Sequence, residues 1–166
     1  MIPALPADHA FAGLKPPAVW SHFATLCRIP RPSKHEGALR DHLLQWASAQ
    51  GLPAHVDAAG NLLIRKAASA GHGASPGVVL QAHLDMVCLT NDPIVPVRTD
   101  DGWVRAEHTT LGADNGLGVA LMLALLADPD AVHGPLEALF TVDEEAGMGG
   151  AHGLEPGVLQ GRLMLN

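Results

Sequence analysis

The sequence has few of the features that mark several large classes of protein. Only two of its 166 residues are cysteines, Cys27 and Cys88, and they form no C-x-x-C pair. A disulfide framework and a cysteine-bound structural metal are therefore unsupported. Lysine and arginine together number only 10, so nucleic acid is a poor partner, because phosphate binding needs a clustered basic surface.

Long hydrophobic runs are also missing. The longest, from Val119 to Ala127, is far shorter than the roughly 18 residues that span a bilayer. It predicts a buried helix, and we expect no membrane partner. The first 17 residues lack the basic patch and uninterrupted apolar core of a secretory signal. Together with the few cysteines, this predicts a cytoplasmic protein.

What the chain does contain is typical of one compact globular domain. Hydrophobic residues make up 48% of the sequence, charged residues 16%, and the net charge is −7. Such a balance is neither that of a disordered chain nor that of a polybasic one. A chain of this length buries enough surface for one real core, and we find no internal repeat or domain boundary.

Local patterns predict that helices and strands alternate along the chain. Ser33 and Glu36 have the spacing of a capping box at the start of a second helix, and Gly51 lies where its C-terminal cap belongs. The order of strand, crossover helix and strand predicts an α/β fold with helices packed on a mainly parallel sheet. The predicted elements are helices 17–29, 33–51 and 117–127, strands 54–57, 61–66, 78–82 and 136–142, and a hairpin that turns at Asp101-Gly102.

Polar side chains cluster at three ends of these predicted elements. His83 and Asp85 follow one strand, Asp114 precedes a helix, and residues 143–145, Asp-Glu-Glu, follow another strand. In open α/β sheets, sites form at the carboxyl ends of strands and at the adjacent helix N-termini. We therefore expect all three clusters to face one crevice.

Each cluster taken singly has an ordinary structural explanation. His83 is explained by a hydrogen bond, Asp114 by a helix N-cap, and Glu144 with Glu145 by a solvated helix start. Their convergence favours a different interpretation, because several carboxylates in one crevice repel one another unless a cation neutralises them. One imidazole with several carboxylates suits zinc, cobalt or manganese in an open catalytic site, including a pair of metals that share a water.

The stretches "HLDMV", "TTLGADNGLGVA" and "HGPLEALFTVDEEAGMGGAHGL" resemble the catalytic domain of the M20 family of dinuclear zinc peptidases. Within that family they are most similar to the aminoacyl-histidine (Xaa-His) dipeptidases. The motif H-x-D alone is weak, but H-x-D, G-A-D-N-G and D-E-E-A-G in this order form a specific signal. The resemblance covers nearly the whole chain and implies a zinc-peptidase catalytic domain with the α/β fold of the phosphorylase/hydrolase-like proteins.

The resemblance also implies a role for each residue of the clusters. His83 ligates one metal, Asp114 bridges both, and Glu145 ligates the other. Glu144 is the general base that takes a proton from the attacking water and delivers it to the leaving amine. Asp85 orients the His83 ring and sets its tautomer. The family further implies a cis peptide bond after Asp114.

The sequence departs from the family pattern in its length. Members carry two further ligands, an aspartate shortly after an "LMLN"-like strand and a late histidine, with a lid and dimerisation domain inserted between them. Here the sequence stops at Asn166, at the end of "GRLMLN", which predicts a buried strand. We therefore expect residues 1–166 to be the N-terminal portion of the catalytic domain, and the parent to be a homodimer through the lid domain that this sequence lacks.

The resemblance implies that the parent hydrolyses dipeptides of the Xaa-His type, whereas the 166 residues alone form an incomplete enzyme. Two alternatives stay open: a non-enzymatic metal-binding or assembly module, and a related deacylase or aminotripeptidase. A phosphate-binding loop at "GMGGAHG" is not supported, because His152 occupies the last glycine position of the G-x-G-x-x-G pattern.

Overall fold

The computed structural model of the chain describes residues 9–166. Part of the N-terminal stretch tested for a secretory signal lies outside these residues. The helices include α1 (Pro17–Cys27), α2 (Gly37–Ala49), α3 (Ala113–Ala127) and α4 (Gly149–His152). The strands include β1 (Ala54–Val56), β2 (Leu62–Lys66), β3 (Val78–His83), β4 (Pro96–Arg98), β5 (Val104–Ala106), β6 (Leu136–Thr141) and β7 (Leu163–Leu165).

The main sheet has the strand order β1-β2-β6-β3-β7, and the predicted α/β class is confirmed. β3 is parallel to both β6 and β7, whereas β2 is antiparallel to β1 and to β6. The sheet is therefore mixed, where the sequence predicts a mainly parallel one. The difference arises because the short hairpin β1–β2 adds to the sheet beside β6, whereas the long connections through α3 and α4 allow the parallel pairing of β3 with β6 and β7.

The core lies mainly on one face of this sheet. Alternate residues of β2, such as Leu62 and Ile64, join a large cluster with α1, α2 and α3, whereas Leu63 faces a small cluster on the other side. α1 packs against α3, and α3 packs against β3. Of the helices in residues 9–166, none is both long enough and apolar enough to cross a membrane.

The start of α2 differs from its prediction. The prediction of a capping box is wrong. The Ser33 hydroxyl donates a hydrogen bond to Asp85 (2.7 Å). Glu36 accepts hydrogen bonds from the backbone N–H groups of Lys34 (3.0 Å) and Asp143 (2.8 Å). Glu36 is itself the N-cap, and its side chain makes no capping bond. Partners brought close by the fold have replaced the local ones that the spacing suggests.

The last strand also differs in one respect. "GRLMLN" does form a strand, β7, but it is the outer strand of the sheet and pairs on one side with β3. Leu163, Met164 and Leu165 are 56%, 50% and 63% exposed. The prediction of a buried strand is wrong for this structure. The apolar residues favour a strand, but their burial depends on the elements that pack against it.

Candidate metal centre

The candidate site lies at the carboxyl ends of two neighbouring parallel strands. β3 ends at His83 and β6 ends at Thr141, and these two residues are partners in the parallel register. The polar residues that follow each strand are therefore side by side, as expected at this edge of an α/β sheet. The start of α3 brings Asp114 to the same place.

The His83 ring is buried and held from both sides. Nδ1 lies 3.0 Å from the backbone oxygen of Asp85, and Nε2 lies 3.1 Å from Asp114 Oδ1 and 3.9 Å from Glu144 Oε2. Because a carbonyl oxygen only accepts, Nδ1 carries a hydrogen, and Nε2 is the atom directed at the carboxylates. Burial lowers the pKa of His83, but hydrogen bonds to Asp85 and Asp114 outweigh it and raise that pKa to about 9.

Asp85 joins three segments of the chain. It is fully buried, and its carboxylate accepts from the backbone N–H groups of Glu144 and Glu145 (3.0 Å each) and from the Ser33 hydroxyl (2.7 Å). Its Oδ1 also lies 3.4 Å from His83 Nδ1. Burial raises the pKa of Asp85, yet these hydrogen bonds outweigh burial and hold it well below its usual range. Asp85 thus fixes the glutamate loop as well as the histidine.

Asp114 is exposed and has no capping role. The N-cap of α3 is Gly112, without a side-chain capping bond, and Asp114 has the non-helical angles φ −86° and ψ 111°. The N-cap explanation of Asp114 is therefore wrong. Its side chain is 84% exposed, with Oδ1 next to His83, and the peptide bond between Asp114 and Asn115 is cis, as the resemblance implies.

Glu144 and Glu145 lie in a turn directly after β6, and α4 begins only at Gly149. The explanation as a solvated helix start is therefore wrong. Ligand atoms of His83, Glu144 and Glu145 all lie within 4.8 Å of one another. Partial burial and the charges of neighbouring carboxylates, Glu144 first among them, raise the pKa of Glu145 against the opposing effect of His83.

This donor set fits a divalent metal. One imidazole nitrogen faces several carboxylate oxygens, which is the set that zinc, cobalt or manganese accepts. The carboxylates of Asp114, Glu144 and Glu145 lie around one imidazole, and a bound cation offsets the mutual repulsion of such neighbouring negative charges. The geometry brings Glu144 as close as Glu145, so the distinction between base and ligand comes from the resemblance.

Two clefts flank the cluster. One, of about 320 Å³, is lined by Asp114 and Glu145 together with Met86 and Thr110. The other, of about 270 Å³, has His83 and Glu144 among its lining residues. A small molecule that enters either cleft therefore meets the carboxylates.

Other residues that hold the site were not predicted. Glu36 accepts from the backbone of Asp143, and Asn61 accepts from Val142 N–H (3.2 Å) and donates to the Gly150 oxygen (2.8 Å). Ser33 is 52 residues from its partner, Asp85, and Glu36 is 107 residues from Asp143. No local spacing signals such pairs, and the apparent capping box assigned two of these residues to another role.

Comparison with known proteins gives close relatives. The cytosol non-specific dipeptidase of Escherichia coli K12 is 49% identical over 162 residues, which cover 92% of this chain and 33% of the relative. The crystal structure of aminoacylhistidine dipeptidase from Vibrio alginolyticus has a TM-score of 0.89 at 48% identity, covering 94% of this chain and 34% of that one. A tripeptidase structure from Staphylococcus aureus has a TM-score of 0.80 at 26% identity, covering 89% of this chain and 42% of that one.

The chain spans about a third of the length of the two dipeptidases. No family model matches it. The relatives support the resemblance to dipeptidases predicted from the sequence, and the fold is that of the matched part of each.

Proposed function

We propose that this M20-related chain is the N-terminal portion of the catalytic domain of a dipeptidase that hydrolyses Xaa-His dipeptides in the cytoplasm. The observation that carries the proposal is the meeting of His83, Asp114, Glu144 and Glu145 at one edge of the sheet. Support comes from the 49% identity to a dipeptidase. The parent is a homodimer through its lid domain, and neither nucleic acid nor a membrane is a partner.

The chain contributes three ligands to a dinuclear centre. His83 and Glu145 would each hold an ion, and Asp114 would serve both. Zinc is the proposed metal, with cobalt and manganese as the alternatives that the same donors accept. When bound, the ions supply an activated water and polarise the carbonyl of the peptide bond.

Glu144 moves the protons of the reaction. Its carboxylate is 38% exposed and lies 3.9 Å from His83 Nε2, so it reaches both the cluster and the cleft of about 270 Å³. It takes the proton of the attacking water and delivers it to the amine as the peptide bond breaks. This transfer keeps the leaving group from departing as an unstable anion.

Asp85 fixes the positions of His83, Glu144 and Glu145 relative to one another. It accepts hydrogen bonds from the backbone N–H groups of Glu144 and Glu145 and lies beside the ring of His83. One buried carboxylate thus sets the relative positions of a ligand, a second ligand and the base. Such support typically accounts for about 10- to 100-fold in metal affinity or activity.

The experiment is a substrate comparison with the full-length parent. Hydrolysis of Xaa-His dipeptides that a chelator abolishes and zinc restores is the expected result. The matched controls are dipeptides without histidine, a tripeptide and an N-acyl amino acid. Absence of hydrolysis of every peptide by the zinc-loaded parent would overturn the proposal and leave the non-enzymatic alternative.

A second candidate is a tripeptidase. The structure from S. aureus that carries this name shares the fold at 26% identity, well below the identity of the dipeptidases. A parent that cleaves the tripeptide faster than any dipeptide would move the assignment to this candidate. Faster cleavage of the N-acyl amino acid would move it to a deacylase.

A further inference from the structure

Arg31 is buried beside the candidate metal centre and belongs to none of the roles above. It is 1% exposed and is the largest fully buried side chain of the described residues. A buried guanidinium is costly unless its donors are bonded. Here Nη1 donates to the Leu26 oxygen (3.0 Å) and Nη2 donates to the Gly112 oxygen (2.8 Å).

The two hydrogen bonds that Arg31 donates connect the end of α1 to the start of α3. Leu26 lies in the last turn of α1, and Gly112 is the N-cap of α3, two residues before Asp114. The guanidinium therefore spans the gap between these helices with a donor on each side, which its planar fork allows and a single ammonium does not.

The backbone around Asp114 is shaped to fit this side chain. A Cβ atom on Gly112 would lie 2.5 Å from Arg31 Nη2, and one on Gly116 would lie 2.7 Å from the same atom. Both distances are shorter than real Cβ contacts, and Met86 Sδ, 2.6 Å from the Gly112 position, and Phe23 Cε2, 2.8 Å from the Gly116 position, add to the crowding. The segment that carries Asp114 thus passes directly over the guanidinium, and the glycines on either side of Asp114 allow the approach.

Arg31 also contacts the segment that follows His83. Its backbone oxygen accepts the N–H of Met86 (3.2 Å), and Pro32 and Met86 form a parallel bridge. One residue therefore holds both the segment with His83 and the segment with Asp114. These two attachments lie on either side of the contact between His83 Nε2 and Asp114 Oδ1, which is 3.1 Å long.

We propose that Arg31 is a positioning residue of the candidate metal centre, which fixes the backbone of Asp114 relative to His83. The proposal rests on the proposed function in that these two residues are taken as metal ligands. It assigns Arg31 no contact with substrate and no proton transfer. Because Arg31 acts on geometry, its removal should change the His83–Asp114 contact and weaken metal binding.

The test uses Arg31→Met, which keeps the bulk and removes both donors, and Arg31→Lys, which keeps the charge and at most one bond. The matched control is Arg65→Met, because Arg65 also donates to a backbone oxygen, that of Val158 (2.7 Å), at the opposite end of the sheet. Asp114→Ala gives the reference for loss of the contact. Thermal unfolding of every variant gives the temperature below which all are folded.

The first readout is the ring nitrogen NMR signals of His83 in the 166-residue chain with EDTA present. We expect Arg65→Met to keep the wild-type signals and Arg31→Met to give those of Asp114→Ala. Wild-type signals in Arg31→Met would overturn the proposal. If Arg31→Met does not fold, Arg31→Lys decides the question by the same comparison.

The second readout is zinc affinity, measured by competition with a chromophoric chelator. We expect zinc to bind Arg31→Met at least about tenfold more weakly than wild type, Arg31→Lys to be intermediate and Arg65→Met to be unchanged. Equal affinity in all four proteins would overturn the proposal. If zinc binds none of them, the same competition with the full-length parent, which supplies the two further ligands, decides the proposed function, and the His83 signals still decide the role of Arg31.

Discussion

The two aspartates that flank His83 differ sharply in their surroundings. Asp85 is fully buried and accepts hydrogen bonds from two backbone N–H groups and one hydroxyl. Asp114 is 84% exposed at its side chain and contacts His83. On the side of Asp85, the carboxylate is held by hydrogen bonds within the protein. On the side of Asp114, the carboxylate is exposed and accessible to an ion or a substrate. Mutations on the two sides should have different consequences.

The largest effect is expected for Glu144→Gln in the full-length parent. The backbone of Glu144 is held by Asp85, so the substitution keeps the loop and removes only the base. We expect kcat to fall by about 100- to 10,000-fold, while the metal content measured by atomic emission stays at the wild-type value.

The matched variant for this prediction is Glu145→Gln, one residue along the same turn. It should lose metal, and its activity should recover in part when excess zinc is added. Near-normal turnover in Glu144→Gln would refute its assignment as the base. Loss of metal from Glu144→Gln instead of Glu145→Gln would exchange the two roles.

The second effect tests the buried side directly. Asp85→Ala leaves the N–H groups of Glu144 and Glu145 without their acceptor, and each bond to a charged group contributes about 1.5–3 kcal/mol. We expect the free energy of unfolding of the 166-residue chain to fall by about 3 kcal/mol. Urea unfolding followed by tryptophan fluorescence measures it, and a loss below the error of the method would show that the bonds contribute nothing.

Asp114→Asn should behave in the opposite way. Because the carboxylate is exposed and Asn keeps its shape, stability in urea should change by less than about 0.5 kcal/mol. Zinc affinity of the same chain should fall by about tenfold or more, since a charged ligand has become neutral. A variant that loses stability but keeps its affinity would contradict the assignment of Asp114 as a ligand and would remove the contrast with Asp85.

The sequence predicts the residues at the ends of the strands better than the residues that support them. His83, Asp114, Glu144 and Glu145 follow from strand and helix ends, because the carboxyl ends of parallel strands meet at one edge. Ser33, Glu36 and Arg31 do not follow, since their partners are set by the packing of distant segments. Ser33 even matches a local motif, the capping box, that the fold does not use.

The same reasoning applies to the fold. Hairpins and helices follow from turn residues and periodicity, as at Gly51, whose φ of +68° confirms the predicted C-terminal cap. The mixed sheet does not follow, because nothing within β2 specifies that it pairs with β6. The exposure of β7 does not follow either, since burial depends on what lies beside the strand.

The smallest effect is expected for Ser33→Ala, which tests whether this serine acts through Asp85, as the structure has it, or caps α2, as the spacing suggests. Its hydroxyl donates to Asp85 Oδ2 at 2.7 Å, so we expect a loss of about 1.5 kcal/mol in the urea unfolding of the 166-residue chain. Loss of a helix cap would cost about the same, roughly 1 kcal/mol, so the single variant does not separate the two roles.

The double variant with Asp85→Ala does separate them. If Ser33 acts through Asp85, removing it from the Asp85→Ala background costs almost nothing, and the two losses fall short of adding by about 1 kcal/mol or more. If Ser33 instead caps α2, the losses add, and the buried side of the centre ends at Asp85 rather than extending to the segment before α2.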